Sequence, residues 1–213
     1  MADAKFLGAG HFSEGLAPVQ TEDGWGFIDR TGKMVISPQF DSASMFQNGL
    51  ARVTALGKEA YITTAGAFVV DPFPGTNIRA ERARIAAEVA WTDPSTHLMW
   101  ALQDNGSDVD WNSATRYCSG LTLGGLRGWR LPETEELAGI YDPAINLAGT
   151  LNGNSVVWHI KGGIHLSGGN WSATKNGPGS AWIFYFLNGQ RNSLGTDGYV
   201  FQIRALCVRR AGE

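Results

Sequence analysis

The chain has 213 residues, 43% hydrophobic and 17% charged, with a net charge of −3, which excludes disorder and leaves enough apolar side chains for one large core or two modest ones. So neutral a balance argues against nucleic acid or an anionic membrane as the main partner, and no run of about 18 apolar residues is long enough for membrane insertion. Glycine, at 28 residues about twice its usual share, and eight Trp favour turns and short strands cemented by aromatics, so the expected class is α+β to mainly β.

Met1 to Gly10 has one Lys, no apolar h-region and no cleavage site, so it does not read as a signal peptide. The expectation is a cytoplasmic protein, or one exported with its leader removed. Residues 1–75 then repeat at a period of 34: Phe12-Ser13-Glu14-Gly15-Leu16-Ala17-Pro18-Val19 lines up with Phe46-Gln47-Asn48-Gly49-Leu50-Ala51-Arg52-Val53. The offset also matches Phe27-Ile28 with Tyr61-Ile62, Gly32 with Gly66, Val35-Ile36 with Val69-Val70 and Pro38 with Pro72. Leu-Ala-x-Val, Trp-Gly-Phe-Ile-Asp and Lys-Met-Val-Ile-Ser read as strands, and Asp29-Arg30-Thr31-Gly32-Lys33 as a hairpin turn. Gly24-Trp25-Gly26-Phe27-Ile28-Asp29 and Pro38-Gln39-Phe40-Asp41 resemble the WG-repeat family, which implies a small β-hairpin module for spacing or protein contact. The second repeat departs from that pattern, with Glu59-Ala60 in place of Trp-Gly, as a capping unit would.

Asp71-Pro72-Phe73-Pro74-Gly75 ends the repeats, since two prolines and a glycine cannot continue a ladder. Residues 76–87 read as a linker or short helix, and 88–213 as a second domain. There Asp110 is placed to N-cap a helix that carries Trp111, Ala114 and Cys118 on one face. Pro132 opens another, with Glu133, Glu135 and Glu136 in its first turn and Leu137 and Ile140 inward. Glycine-separated strands follow to the end.

Trp91-Thr92-Asp93-Pro94-Ser95-Thr96-His97-Leu98-Met99-Trp100, Gly128-Trp129-Arg130-Leu131-Pro132, Asn170-Trp171-Ser172-Ala173-Thr174 and Cys207-Val208-Arg209 stand in order. This series resembles the Lcl C-terminal domain family, with His97 where the family has glycine and Glu133 where it has threonine. The resemblance implies a C-type-lectin-like domain, two helices around an irregular antiparallel sheet, acting as a binding domain. In the wider lectin fold a first-helix cysteine bonds one in the last strand, and Cys118 and Cys207 hold those places. The alternative is two buried thiols in a reducing compartment. The likeness also suggests a variable protein of a diversity-generating retroelement, of bacterial or phage source. Residues 174–202 are rich in types that adenine mutagenesis produces from Asn codons.

No enzyme activity is expected. Formylglycine-generating enzymes share the lectin-like fold, but the two cysteines here already fit a structural bridge. Asp104-Asn105-Gly106-Ser107-Asp108-Val109-Asp110 alternates oxygen-bearing side chains as calcium requires, yet the EF-hand spacing is incomplete and the closing Glu is missing. No cofactor is expected, calcium being the one candidate weighed. His159 and His165 lack a third ligand, and Arg130 and Glu136 suit a structural pair.

In Ala181-Trp182-Ile183-Phe184-Tyr185-Phe186-Leu187, strand alternation puts Trp182, Phe184 and Phe186 on the core face and Ile183, Tyr185 and Leu187 on the other. An apolar outer face is either covered by a loop or the repeat module, or meets a ligand. The expected ligand-binding surface, for a protein or glycan, centres on Ile183, Tyr185 and Leu187, with Tyr185 as anchor. Its margin comprises Trp158, His159, Lys175, Asn176, Gln190, Arg191 and Asn192. The competing reading is an interaction scaffold in which the WG repeats bind and the lectin-like domain is structural. Oligomeric state stays open.

Overall fold

The computed structural model describes residues 6–198 and 200–211. They fall into two compact bodies, one holding the chain up to Glu88 with Gly124–Arg127, the other Val89–Leu123 and Gly128–Ala211. Strand is the commonest regular structure in both, arranged in several small, largely antiparallel sheets.

In the first body, β1 (Gly8–Ala9), β2 (Leu16–Thr21), β3 (Gly24–Asp29) and β4 (Met34–Phe40) form a four-stranded sheet in sequence order. Next, β5 (Ser42–Ala43), β6 (Leu50–Ala55) and β7 (Lys58–Thr63) form a three-stranded one. A shift of 34 residues carries β1–β3 onto β5–β7 strand for strand. The hairpin turn forms where Asp29 accepts from the backbone N–H of Thr31 and Lys33 at 2.8 and 3.1 Å, with Gly32 at φ +83°. One face of the first repeat (Leu16, Phe27, Ile36, Phe40) packs against the opposite face of the second (Ala51, Val53, Ile62) with Phe46, whose ring lies 4.8 Å from that of Phe27.

The second repeat lacks a fourth strand, for a steric reason. β4 passes so close to Gly26 that an added Cβ would sit 2.5 Å from the Ile36 carbonyl oxygen. The second repeat has Ala60 at this position: pairing starts as in the first repeat, with the Ile62–Phe68 bridge and Val69 N donating to Tyr61 O at 2.9 Å, and goes no further as a ladder. The helix α1 (Ile78–Val89) follows, its start capped by Asn77, whose side-chain oxygen accepts from Ala80 N at 3.1 Å. It buries Arg82, which pairs with Asp41 and donates to the Asp23 and Gly125 carbonyls.

The second body runs β8 (Ala90–Thr92), β9 (Leu98–Ala101), α2 (Trp111–Gly120), α3 (Thr134–Gly139), β10 (Leu147–Leu151), β11 (Asn154–Trp158), β12 (Gly169–Lys175), β13 (Ser180–Tyr185), β14 (Gln190–Gly195), β15 (Ile203–Arg204) and β16 (Val208–Arg210). β16, β9 and β8 make one sheet, so this body's first and last strands lie together. A second sheet has the order β14-β13-β12-β15, antiparallel except for β12 with β15. Asp110 caps α2 by accepting from Ser113 N at 2.9 Å. α3 starts two residues after Pro132 with a Glu133/Glu136 capping box. Trp100, Leu137, Trp158, Ile160, Phe184, Phe186 and Val208 form the shared core. Cys118 of α2 is disulfide-bonded to Cys207, with Cα atoms 5.5 Å apart.

Candidate functional site

The sheet that ends on β14 presents the most open surface among the expected site residues. Two turns with left-handed glycines frame it. Between β12 and β13, Gly177 and Gly179 take φ of +93° and +72°, and Asn176 N donates to Ser180 O at 3.0 Å. Between β13 and β14, Gly189 at φ +72° donates to Tyr185 O at 2.8 Å, while Asn188 Oδ1 accepts from Gln190 N at 3.1 Å. Thr196 N also donates to Gly179 O at 2.9 Å, which sets the phase of the β13–β14 ladder. Gln190, Asn192 and Leu194 therefore turn their backbone groups to β13, and Arg191, Ser193 and Gly195 turn theirs to the open edge.

Cross-strand pairing assigns the faces. Tyr185 faces Gln190, Ile183 faces Asn192 and Ala181 faces Leu194, all on one side; Phe184 faces Arg191 and Trp182 faces Ser193 on the other. The expected margin therefore splits: Gln190 and Asn192 stand with Tyr185. Arg191 reaches the opposite side, where its guanidinium grips Glu135 of α3 with two bonds of 2.6 and 3.0 Å. That bidentate bond holds the Glu135 carboxyl below the usual carboxylate range.

Ile183 is a correction. Expected at the centre of an exposed face, it is 1% exposed, because the segment 104–110 lies across that face. Asn105 N and Val109 N donate to the Ala205 and Ile203 carbonyls at 3.0 and 3.1 Å, and Trp171, directly beside Ile183, donates its indole N–H to Val109 O at 2.7 Å. Trp158 is likewise buried, in the core beneath β11, and Leu187 packs partly buried against the same core. His159 is partly buried, its Nδ1 2.7 Å from the Ile145 carbonyl and its ring edge-on to Tyr141. On the face expected to be all core, Phe184 and Phe186 are buried but Trp182 stays partly exposed.

Tyr185 lies partly buried over glycine: a Cβ on Gly169 would meet its ring at 2.6 Å. Burial pushes its phenol pKa up, so the hydroxyl is a neutral donor and acceptor at physiological pH. Lys175 and Asn176 are exposed on the β12–β13 turn, at the far end of β13 from Tyr185, with the Lys175 ammonium 4.7 Å from the centre of the Trp111 ring. Leu194, 36% exposed, joins Asn192 and Gln190 on the Tyr185 side and had no counterpart among the expected residues. Its signal was the period-2 run Gln190, Asn192, Leu194.

The oxygens weighed for calcium face protein donors. Asp104 accepts from Gly106 N, Ser167 N and Ser167 Oγ between 2.6 and 2.9 Å. Asp108 takes Gln202 N and the Arg204 guanidinium, and Asn105 Oδ1 takes Ala205 N. Among the described residues no three His, Cys, Asp or Glu side chains converge as metal ligands. Glu136 is caught between Arg130 Nη1 and Nη2 at 2.8 and 2.6 Å; burial works against its charge, but the guanidinium and the Glu133 N–H hold its carboxyl below the usual range.

The chain matches the WG containing repeat over residues 25–58, one full period, and the Lcl C-terminal domain over residues 90–209. No curated protein and no solved structure matches it significantly. With more than half its length accounted for by that second match, from β8 into β16, the chain belongs to the Lcl C-terminal domain family and carries a WG-type repeat ahead of it.

Proposed function

We propose that the chain is a non-catalytic recognition protein whose C-terminal body, a C-type-lectin-like domain, docks a protein or glycan ligand on β14 and the flanking turns. Its two domain types, the WG repeat and the Lcl C-terminal domain, belong to binding or interaction modules. The observation that carries the reading is β14 itself. Gln190, Arg191, Asn192 and Leu194 are exposed, and Arg191, Ser193 and Gly195 turn their backbone toward the edge of the sheet, where no strand among the described residues pairs with them. Just behind them Ala181, Ile183, Phe184 and Trp171 are buried. A rigid floor under a polar, adaptable strand is how recognition surfaces keep the ordering cost of binding low.

The Cys118–Cys207 bond from first helix to C-terminal segment, and the shared sheet of first and last strands, support the lectin-like assignment. Non-catalytic character is supported by the use of both cysteines in that bond and by carboxylates already committed to N–H donors. Retroelement diversification is a finer form of the proposal, supported by the exposure of residues 190–192. Its test is an adenine-rich near-copy of the 3′ coding stretch beside a reverse transcriptase gene.

For docking itself, a glycan array and a pull-down are run with the full chain and with a Gln190→Ala/Asn192→Ala/Leu194→Asp variant. The variant is expected to lose at least about tenfold in affinity for whatever the wild type retains, with its melting temperature unchanged because all three side chains are exposed. Retention of full binding by the variant refutes the assigned surface.

A further inference from the structure

The outward face of the second repeat carries an unexplained apolar surface, independent of the recognition strand. Leu50, Tyr61, Val69, Val70 and Pro72 line a groove of about 400 Å³, with Tyr61 53%, Val69 55% and Val70 78% exposed. Thirty-four residues earlier in the chain Leu16, Phe27 and Ile36, the counterparts of Leu50, Tyr61 and Val70, are buried against the second repeat, while Val35, the counterpart of Val69, is itself 48% exposed. The positions of Leu50, Tyr61 and Val70 thus belong to a packing face in the first repeat, and in the second Tyr61 and Val70 are left open.

A third WG unit does not fit it. The face a repeat offers its predecessor is aliphatic and aromatic, as Ala51, Val53, Ile62 and Phe46 show. On the open face Arg52 stands where the first repeat has Pro18, and Glu59 where it has Trp25. The register puts Arg52 opposite Tyr61 and Glu59 opposite Thr54, all on this face, with Arg52 and Glu59 3.6 Å apart and both largely exposed. An aliphatic partner would desolvate both charges and give neither a new partner. A patch with an apolar centre and one charge of each sign is complementary to itself under two-fold rotation.

We propose that this face is a homodimer surface: the Tyr61/Val70 centres of two copies pack together about a two-fold axis, and Arg52 of each copy meets Glu59 of the other. So few residues bury less than the roughly 800 Å² per partner of a standard interface, so the dimer is weak, with a dissociation constant in the range of tens of micromolar.

Sedimentation velocity on the full chain, from about 5 to about 500 µM, tests the proposal. The expected result is a monomer–dimer equilibrium that stops at two. Val70→Glu should abolish it, and Arg52→Glu or Glu59→Arg should each weaken it at least about tenfold, while the double exchange Arg52→Glu/Glu59→Arg restores it. The restoration cannot come from a variant that fails to fold. A wild type that stays monomeric throughout, a dimer that survives Val70→Glu, single exchanges without effect, a double exchange that does not recover, or assembly that grows beyond two overturns the proposal.

Discussion

Breaking the Cys118–Cys207 bond is the most quantitative perturbation the structure offers. The two residues are separated by 89 positions, and in the chain-entropy account closing a loop of that size removes about 4.6 kcal/mol of freedom from the unfolded ensemble at 25 °C. Unfolding the roughly 120 residues of the C-terminal body carries an entropy near 250 cal/mol/K, so the loss corresponds to a fall of about 18 °C in its melting temperature. The assay compares thermal and urea unfolding of the oxidised wild type with a Cys118→Ala/Cys207→Ala variant. Both sulfurs are buried, at 0% and 1% residue exposure, so a phosphine reductant reaches them only when the domain opens. Reduction of the native protein should then proceed at a rate set by opening and independent of reductant concentration once reductant is in excess. A double variant melting within about 3 °C of wild type would falsify the loop-entropy reasoning, and a reduction rate that exceeds the rate of unfolding under the same conditions would show the bond to be accessible in the folded domain.

Two further outcomes follow from single positions. His97 sits at φ +56°, exposed, where a side chain is strained, so His97→Gly should raise stability by about 0.5–1 kcal/mol net of glycine's greater unfolded freedom, read as a rise of a few degrees in melting temperature; a fall would mean the imidazole has an unrecognised role. Glu135 has its carboxyl pKa depressed from 4.5 by Arg191, so its contribution is present above the unfolded value and lost as pH falls through the lower folded one. The stability gap between wild type and Glu135→Gln should therefore be constant above about pH 4.5 and close below it, and a gap that widens in acid contradicts the pairing.

The repeats were legible because each is built from contacts a few residues long. Leu-Ala-x-Val, the Gly32 turn and Phe27-Ile28 each dictate a local shape, and the offset between copies reports the rest. The Glu59-Ala60 departure was visible too, although its consequence, a missing fourth strand, needed the closeness of β4 to Gly26. The binding face was only half legible. Alternation along 181–187 separates Ile183 from Phe184 correctly but cannot say which side something else covers, and the cover over Ile183 comes from residues 104–110, more than seventy positions away. Trp182 erred the other way: its face is core near Phe184 and opens toward Ser193. Arg191 was expected in one margin with Gln190 and Asn192, and it parts from them because residues 190–195 form a strand whose pairing with β13 alternates its side chains between the two faces.

Arg82 has a consequence for how the protein is made. Its guanidinium is buried with Asp41, the Asp23 carbonyl and the Gly125 carbonyl, and the last of these lies 43 residues further along the chain. At ordinary elongation rates of about 5–20 residues per second, the nascent N-terminal body waits roughly 2–9 s for that acceptor to be synthesised. During that interval the Arg82 guanidinium has Asp41 and the Asp23 carbonyl but not its Gly125 acceptor, so this last contact closes only after that stretch has been translated.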